Sequence, residues 1–298
     1  MKSATAMEKL HIKDRPGGFG LTNLWALYVL TIRQHLHGKR WMVMTALFLL
    51  PAVLAIVIRA TAPDAPSIIL EFLLAFMFIP QALLPLIALV YASGVIQDEQ
   101  EEQTLTYLLI RPLPKWSIYL VKLLATLTTT VVLTAIFTIV TYAAIYIGSE
   151  ANGREIASRC LNAIYIHSLA VICYCCLFGL MSLLTKWTLV VGVIYTAVVE
   201  GLLANLPFGI RLGTVIYYTR LIAYRTLEFK FTPPGMHRTS DLAAVTWQYD
   251  PRDLPDLAEH PSIRTCAIVL ASASLVFSLI AAILCSRREF RVKTPEGN

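Results

Sequence analysis

Apolar residues fall in six long runs, near Trp41–Ile58, Ile68–Ala92, Trp116–Ile147, Leu161–Leu184, Thr188–Leu206 and Thr265–Cys285. A bilayer core of ~30 Å needs roughly 20 apolar residues of helix, so each run reads as a transmembrane span. The most informative polar stretch lies between the second and third runs, from Ser93-Gly94 through Asp98-Glu99-Gln100-Glu101-Glu102 to Pro112 and Pro114. A helix over Asp98–Leu109 sets Leu105, Leu108 and Leu109 on one face, at the i, i+3, i+4 spacing of an amphipathic segment, and leaves the other face acidic. Pro112 and Pro114 forbid its continuation, and Lys115 and Trp116 mark re-entry into the bilayer. A short acidic helix at the membrane surface has the form that docking of a soluble partner needs. Ahead of the first run, residues Leu21 to Arg40 predict another helix, with Leu24, Leu27, Tyr28, Thr31 and His35 on one face and Arg33, Gln34, His37 and Lys39 polar. Such a segment is expected to lie in the interface before the first span.

Composition agrees with a membrane protein. Hydrophobic residues make up 57% of the chain and charged residues 15%, against about 25% charged in an average soluble domain, and the mean hydropathy is +0.65. The expected fold class is an all-α integral membrane protein. Its organisation is an N-terminal arm and interface helix (1–40), spans 1 to 5 with the surface helix 98–109 (41–206), a loop (207–263), and span 6 with a basic tail (264–298). No cleavable signal peptide is expected, because the first apolar run begins only near Trp41. Lys2, Lys9, Lys13, Arg15, Arg33, Lys39 and Arg40 at one end and Arg287, Arg288, Arg291 and Lys293 at the other place both termini in the cytoplasm by the excess of Lys and Arg on that side.

The run Gly94, Glu99, Thr104-Leu105, Leu108-Leu109, Pro112 and Lys122 resembles the first cytoplasmic loop of ABC-2 type transporter permeases over about 30 residues, with Gln103 standing where the family usually has Gly. A weaker echo, Glu200-Gly201-Leu202-Leu203-Ala204-Asn205-Leu206-Pro207, is similar to the fifth helix of some bacterial members. The resemblance implies a permease subunit in a bacterial cytoplasmic membrane, forming a dimer with a second permease copy and coupled to two separate ABC ATPase subunits, more often for export than import. It also implies ATPase contacts through Glu99, Glu102, Thr104, Leu105, Leu108 and Arg111, with ATP and Mg held by the partner and no cofactor in this chain. The other function class left open is a non-transporting membrane anchor or assembly factor of a larger complex. Copurification of a Walker-motif ATPase separates the two.

Few residues carry recognisable catalytic chemistry. No G-x-x-x-x-G-K-[ST] phosphate loop occurs, and the nearest run, Gly38-Lys39, lacks the first Gly and the Ser/Thr, so ATP hydrolysis is expected in a partner. No H-E-x-x-H or G-x-S-x-G is present, and nucleic acid is not an expected partner. Glu101-Glu102 lies outside the bilayer, which argues against an intramembrane protease. Cys173, Cys175 and Cys176 sit within an apolar run, where cysteine behaves as a small hydrophobe; a Cys160–Cys266 bridge is geometrically conceivable.

Polar groups at membrane depth are the remaining candidates, because ionisable side chains there are costly and usually face a bundle interior. Glu71, His167 and Glu200 fall toward one leaflet, either lining an outward vestibule or pairing locally, Glu200 with Arg211. Gln81, between Pro80 and Pro85, marks a kink in span 2, since proline removes a backbone bond that neighbours must re-satisfy. Thr126, Thr130, Thr134 and Thr138 recur every four residues along span 3, a ridge that serves either helix packing or a substrate path between two protomers. In the 207–263 loop, Leu212 to Phe231 interleaves aromatic and basic residues, as a re-entrant or interface-lying helix would. The apolar spans favour a lipid-like or amphiphilic substrate.

Overall fold

The computed structural model describes residues 21–101, 114–149, 151–205, 209–232, 240–247 and 261–287. It is built of helices, six of them long and apolar enough to cross a membrane: Lys39–Thr61, Ser67–Val95, Lys115–Tyr146, Gly153–Leu184, Thr188–Asn205 and Ile263–Arg287. These are spans 1 to 6. The span ends at Thr61, Ser67, Tyr146, Gly153, Asn205 and Ile263 form one end of the bundle, here the hairpin end, and those at Lys39, Val95, Lys115, Leu184, Thr188 and Arg287 the other, the terminal end.

Three spans form the centre. Span 2 buries 61% of its apolar window, span 4 56% and span 3 50%, whereas spans 1, 6 and 5 bury 28%, 28% and 22%. Spans 2, 3 and 4 pack on one another; span 1 packs on span 3, span 5 on span 2, and span 6 on spans 4 and 3. The outer faces of spans 1, 5 and 6 expose Met42, Val53, Val57, Val193, Ile194, Leu275 and Leu279. Close approach uses glycine: a Cβ on Gly192 of span 5 would collide with a Leu89 methyl of span 2, and one on Gly179 of span 4 would lie 2.8 Å from the Tyr119 hydroxyl of span 3. Small residues let helix backbones come together where burial from water provides no drive.

The boundaries depart from the expected ones where local chemistry overrides apolarity. Span 4 begins at Gly153, not near Leu161. Asn152 caps it, its side chain accepting from the Arg154 amide, and with Glu155 three residues on it has the spacing of a capping box. About two further turns, Gly153–Cys160, therefore join the span. Span 2 answers Pro80 not by a break but by a π-helical stretch, Glu71–Leu83, between helices Ser67–Leu70 and Leu84–Glu101. Pro85 follows at the junction with the last of these and, like Pro80, offers no N–H to the turn before it.

The N-terminal helix, Leu21–His37, buries Leu27 and Thr31 with Leu24, Tyr28 and His35 beside them, the face expected to be apolar. That face is turned onto span 3: Tyr28 donates to Thr128 Oγ1 at 3.0 Å and His35 Nδ1 lies 3.4 Å from Thr129 Oγ1. Leu21, Trp25, Leu30 and Leu36 remain exposed.

Between spans 5 and 6 the chain forms a 3-10 turn at Gly209–Gly213, a helix at Val215–Thr226, a two-residue antiparallel hairpin pairing Lys230-Phe231 with Ser240-Asp241, and a short helix Leu242–Trp247. The Val215–Thr226 helix buries most of its residues against spans 4 and 6, so it is inserted into the protein and does not lie on its surface.

Candidate functional site

The terminal end carries the acidic segment. Helix Leu84–Glu101 continues unbroken from the apolar part of span 2 past Ser93-Gly94, so Asp98 to Glu101 form its last turn and do not begin a separate helix. Glu99 stands in that turn. Glu102, Thr104, Leu105, Leu108 and Arg111 lie outside the described residues. Pro114 precedes the first turn of span 3. Lys122 of span 3 is buried and donates to the Val95 carbonyl at 3.3 Å, tying the base of span 3 to span 2 just before the acidic turn.

The hairpin end holds an ion pair, its carboxylate buried and its arginine partly exposed, that the sequence alone does not assemble. Glu71 is fully buried. It accepts from Tyr142 at 2.7 Å, from Tyr146 at 2.6 Å and from Arg159 Nε at 3.1 and 2.9 Å to its two oxygens. The Arg159 guanidinium also faces the Glu228 carbonyl, 3.4 Å from each terminal nitrogen, and stands 5.7 Å from the Phe229 ring centroid. Arg159 and the two tyrosines were not singled out from the sequence. Their signal was the Asn152-Gly-Arg-Glu155 start, which brings Arg159 into the span, and the Tyr142–Tyr146 spacing of one helical turn. Around them Phe72 and Phe76 meet Phe229, and Phe72 meets Trp247, with centroids 5.2 Å apart; Trp247 Nε1 donates to Met77 Sδ at 3.3 Å. The hairpin segment is thus seated on the part of span 2 nearest the hairpin end.

Glu200 lies in the π-helical turn Thr196–Leu202 of span 5 and is 1% exposed. Its expected partner Arg211 is elsewhere, 5.4 Å over the Tyr217 ring. Glu200 instead accepts from the amides of Val215 at 3.1 Å and Ile216 at 3.0 Å, and from the Tyr195 hydroxyl at 3.2 Å. Thr214 takes the next amide, Tyr217, at 3.4 Å. The first amides of a helix lack internal partners and carry the positive end of its dipole, so a carboxylate there satisfies donors and field together. A cation was the wrong expectation because the inserted helix start supplies the positive pole.

The threonine ridge of span 3 is enclosed within the chain. Thr126, Thr130, Thr134 and Thr138 are all buried. Thr130 bonds back to the Thr126 carbonyl at 2.9 Å and lies 3.5 Å from Cys175 Sγ of span 4; Thr138 bonds back to Thr134 at 2.8 Å and lies 3.1 Å from His167 Nδ1. His167 Nε2 sits 3.0 Å from the Ala75 carbonyl of span 2. All six cysteines, Cys160 and Cys266 included, are free thiols. Among the described residues no three His, Cys, Asp or Glu side chains gather as a metal site.

A sequence model described as "ABC-2 family transporter protein" matches residues 36–202, more than half of the chain. The match begins at the end of the N-terminal helix and runs through span 5 as far as its π-helical turn. No curated protein matches the chain. With six membrane-spanning helices and the family match together, the chain belongs to the ABC-2 transporter family, as a multi-pass membrane permease component and not the ATPase.

Proposed function

We propose that this permease is the membrane half of an exporter in a bacterial cytoplasmic membrane, working as a dimer with two separate ATPase subunits docked at Asp98–Leu109. Both termini are cytoplasmic in this reading, by the distribution of Lys and Arg, which makes the terminal end the inner one and the hairpin end the outer one. The observation that carries the proposal is the continuous helix from Leu84 to Glu101. It joins the most buried span to the acidic segment without a hinge, so force applied by a docked ATPase at Glu99 enters the core directly. Lys122, bonded to Val95, braces that entry point against span 3. The exposed apolar faces of spans 1, 5 and 6 supply the surface for lipid and for the second copy, and an apolar bundle of this kind suits an amphiphilic substrate.

The test is capture of the ATPase by tagged permease. Glu99→Lys is expected to abolish capture while the permease stays folded and inserted; unchanged capture overturns the docking assignment. Orientation is checked by labelling single cysteines from each side of the membrane. Positions 152 and 250 are expected to react from outside and position 186 from inside, and the reverse pattern inverts the topology.

A further inference from the structure

In a π-helix each carbonyl accepts from the amide five residues on. Within Glu71–Leu83 the residue five after Ala75 is Pro80, which has no N–H. The Ala75 carbonyl is therefore left without its helical donor, deep in the bundle, where an unserved backbone group is costly. His167 Nε2 stands 3.0 Å from that oxygen. A carbonyl only accepts, so Nε2 carries the hydrogen. The ring is fully buried; Nδ1, then an acceptor, lies 3.1 Å from Thr138 Oγ1, whose single hydrogen it shares with the Thr134 carbonyl at 2.8 Å, and the Phe76 ring is 5.7 Å away.

We propose that His167 is a positioning residue of the permease: it supplies the hydrogen bond that Pro80 denies Ala75, and so holds the π-helical register of span 2. Two residues of span 4 then grip the outer half of span 2, Arg159 on Glu71 and His167 on Ala75, four positions apart on the gripped helix. Below the grip, Leu84–Glu101 is a regular α-helix. Movement entering at Glu99 is carried rigidly up to Leu84 and is taken up in the π-helical stretch, with the His167–Ala75 bond as its fixed point. The transport consequence rests on the exporter reading; the hydrogen-bond assignment does not.

The first experiment uses the full chain alone in detergent. His167→Leu is expected to lower the unfolding midpoint by about 5 °C, as loss of one buried hydrogen bond to a backbone carbonyl predicts, and His167→Gln, whose amide reaches the same oxygen, to restore at least half of that. Pro80→Ala provides a backbone donor, or lets the stretch return to α-helix in which Ile79 serves Ala75. Placed on His167→Leu, it is expected to recover stability. A His167→Leu protein as stable as the parent, or additive losses in the double variant, overturns the proposal. A spectroscopic readout separates this role from mere packing. In protein labelled with 15N-histidine, the His167 Nε2–H is expected to exchange slowly with solvent in the parent and at least about tenfold faster in Pro80→Ala, where its acceptor is taken; equal rates overturn the assignment. In the reconstituted complex, His167→Leu is expected to keep ATPase capture but halve, or worse, the transport per ATP hydrolysed. Full coupling there removes the fixed-point role, whereas loss of capture by the parent itself would count against the exporter reading and leave the first two results standing.

Discussion

Glu71 and Glu200 are both carboxylates buried at the hairpin end, and the molecule neutralises them by opposite means. Glu71, in the central span 2, is met by a full cation, Arg159, and two phenols. Glu200, in the peripheral span 5, is met by two backbone amides and a phenol, with the dipole of the Val215–Thr226 helix as its counter-charge. The first arrangement links spans 2, 3 and 4, each already packed on the others; the second links an outer span, 22% buried, to an inserted helix. A charge pair is used where the geometry is held from every side. At the periphery the weaker field of a helix end suffices, and it travels with the helix that produces it.

The largest effect is expected at Arg159. Breaking a buried ion pair from one side leaves an uncompensated charge and costs about 3–5 kcal/mol, so Arg159→Met is expected to lower the unfolding midpoint by on the order of 10 °C or to prevent accumulation of folded protein. Removing both charges with Glu71→Leu and Arg159→Met is expected to recover most of that loss, because well-packed apolar replacements of a buried pair are often near neutral. If the double variant is no better than Arg159→Met, the pair is not what the single variant broke, and the contrast with Glu200 fails.

Glu200 is expected to come next. Glu200→Ala leaves the Val215 and Ile216 amides unserved and is expected to cost about 2–3 kcal/mol, in the range of hydrogen bonds to a charged group. Glu200→Gln keeps an acceptor and loses the charge, for about 1 kcal/mol. In the complex, Glu200→Gln is expected to change substrate-stimulated ATP hydrolysis more than basal hydrolysis, since the bond ties span 5 to the inserted helix at the hairpin end. If both rates match the parent, the cap is structural only. Among the phenols, Tyr142→Phe is expected to cost more than Tyr146→Phe, about 1–2 against about 1 kcal/mol, because Tyr142 is the more deeply buried of the two.

How much of this could be read from the chain depends on whether a feature is local. The six spans follow from apolar runs and agree with the structure to within a few residues, apart from the start of span 4, where a capping pattern extends the helix through residues that an apolarity reading expels. That Pro80 leaves a carbonyl open was also readable, since proline always removes a donor; which carbonyl was not, because an α-helix makes it that of Phe76 and only the π-helical register makes it that of Ala75. The group that fills it was not: His167 lies 92 positions further on, and nothing near Pro80 in the chain indicates it. Arg159, 88 positions from Glu71, is the same case. Glu200 was readable as a buried carboxylate in need of a partner, but a helix start, unlike a cation, has no residue type of its own. The acidic segment was recognised through its resemblance to a family loop, and of its six contact residues only Glu99 lies among the described residues.

The smallest effect sharpens the comparison most. Thr214 donates to the Arg211 carbonyl at 2.7 Å and accepts from the Tyr217 amide at 3.4 Å, so it completes the cap that Glu200 begins. Thr214→Ala alone is expected to cost about 0.5–1 kcal/mol and Thr214→Ser almost nothing, as for other caps. In the Glu200→Ala background the same Thr214→Ala change removes the last side-chain partner of the helix start, and its cost is expected to rise by at least about 0.5 kcal/mol, the non-additivity of groups sharing one network. In the Arg159→Met, Glu71→Leu background it is expected to cost what it costs in the parent, since the two carboxylate sites share no residue. A denaturation cycle over these variants measures both couplings. Non-additivity between Thr214 and the Glu71–Arg159 pair would mean that the two ends of the comparison are one network, and that the inserted helix reports on the core and not only on span 5.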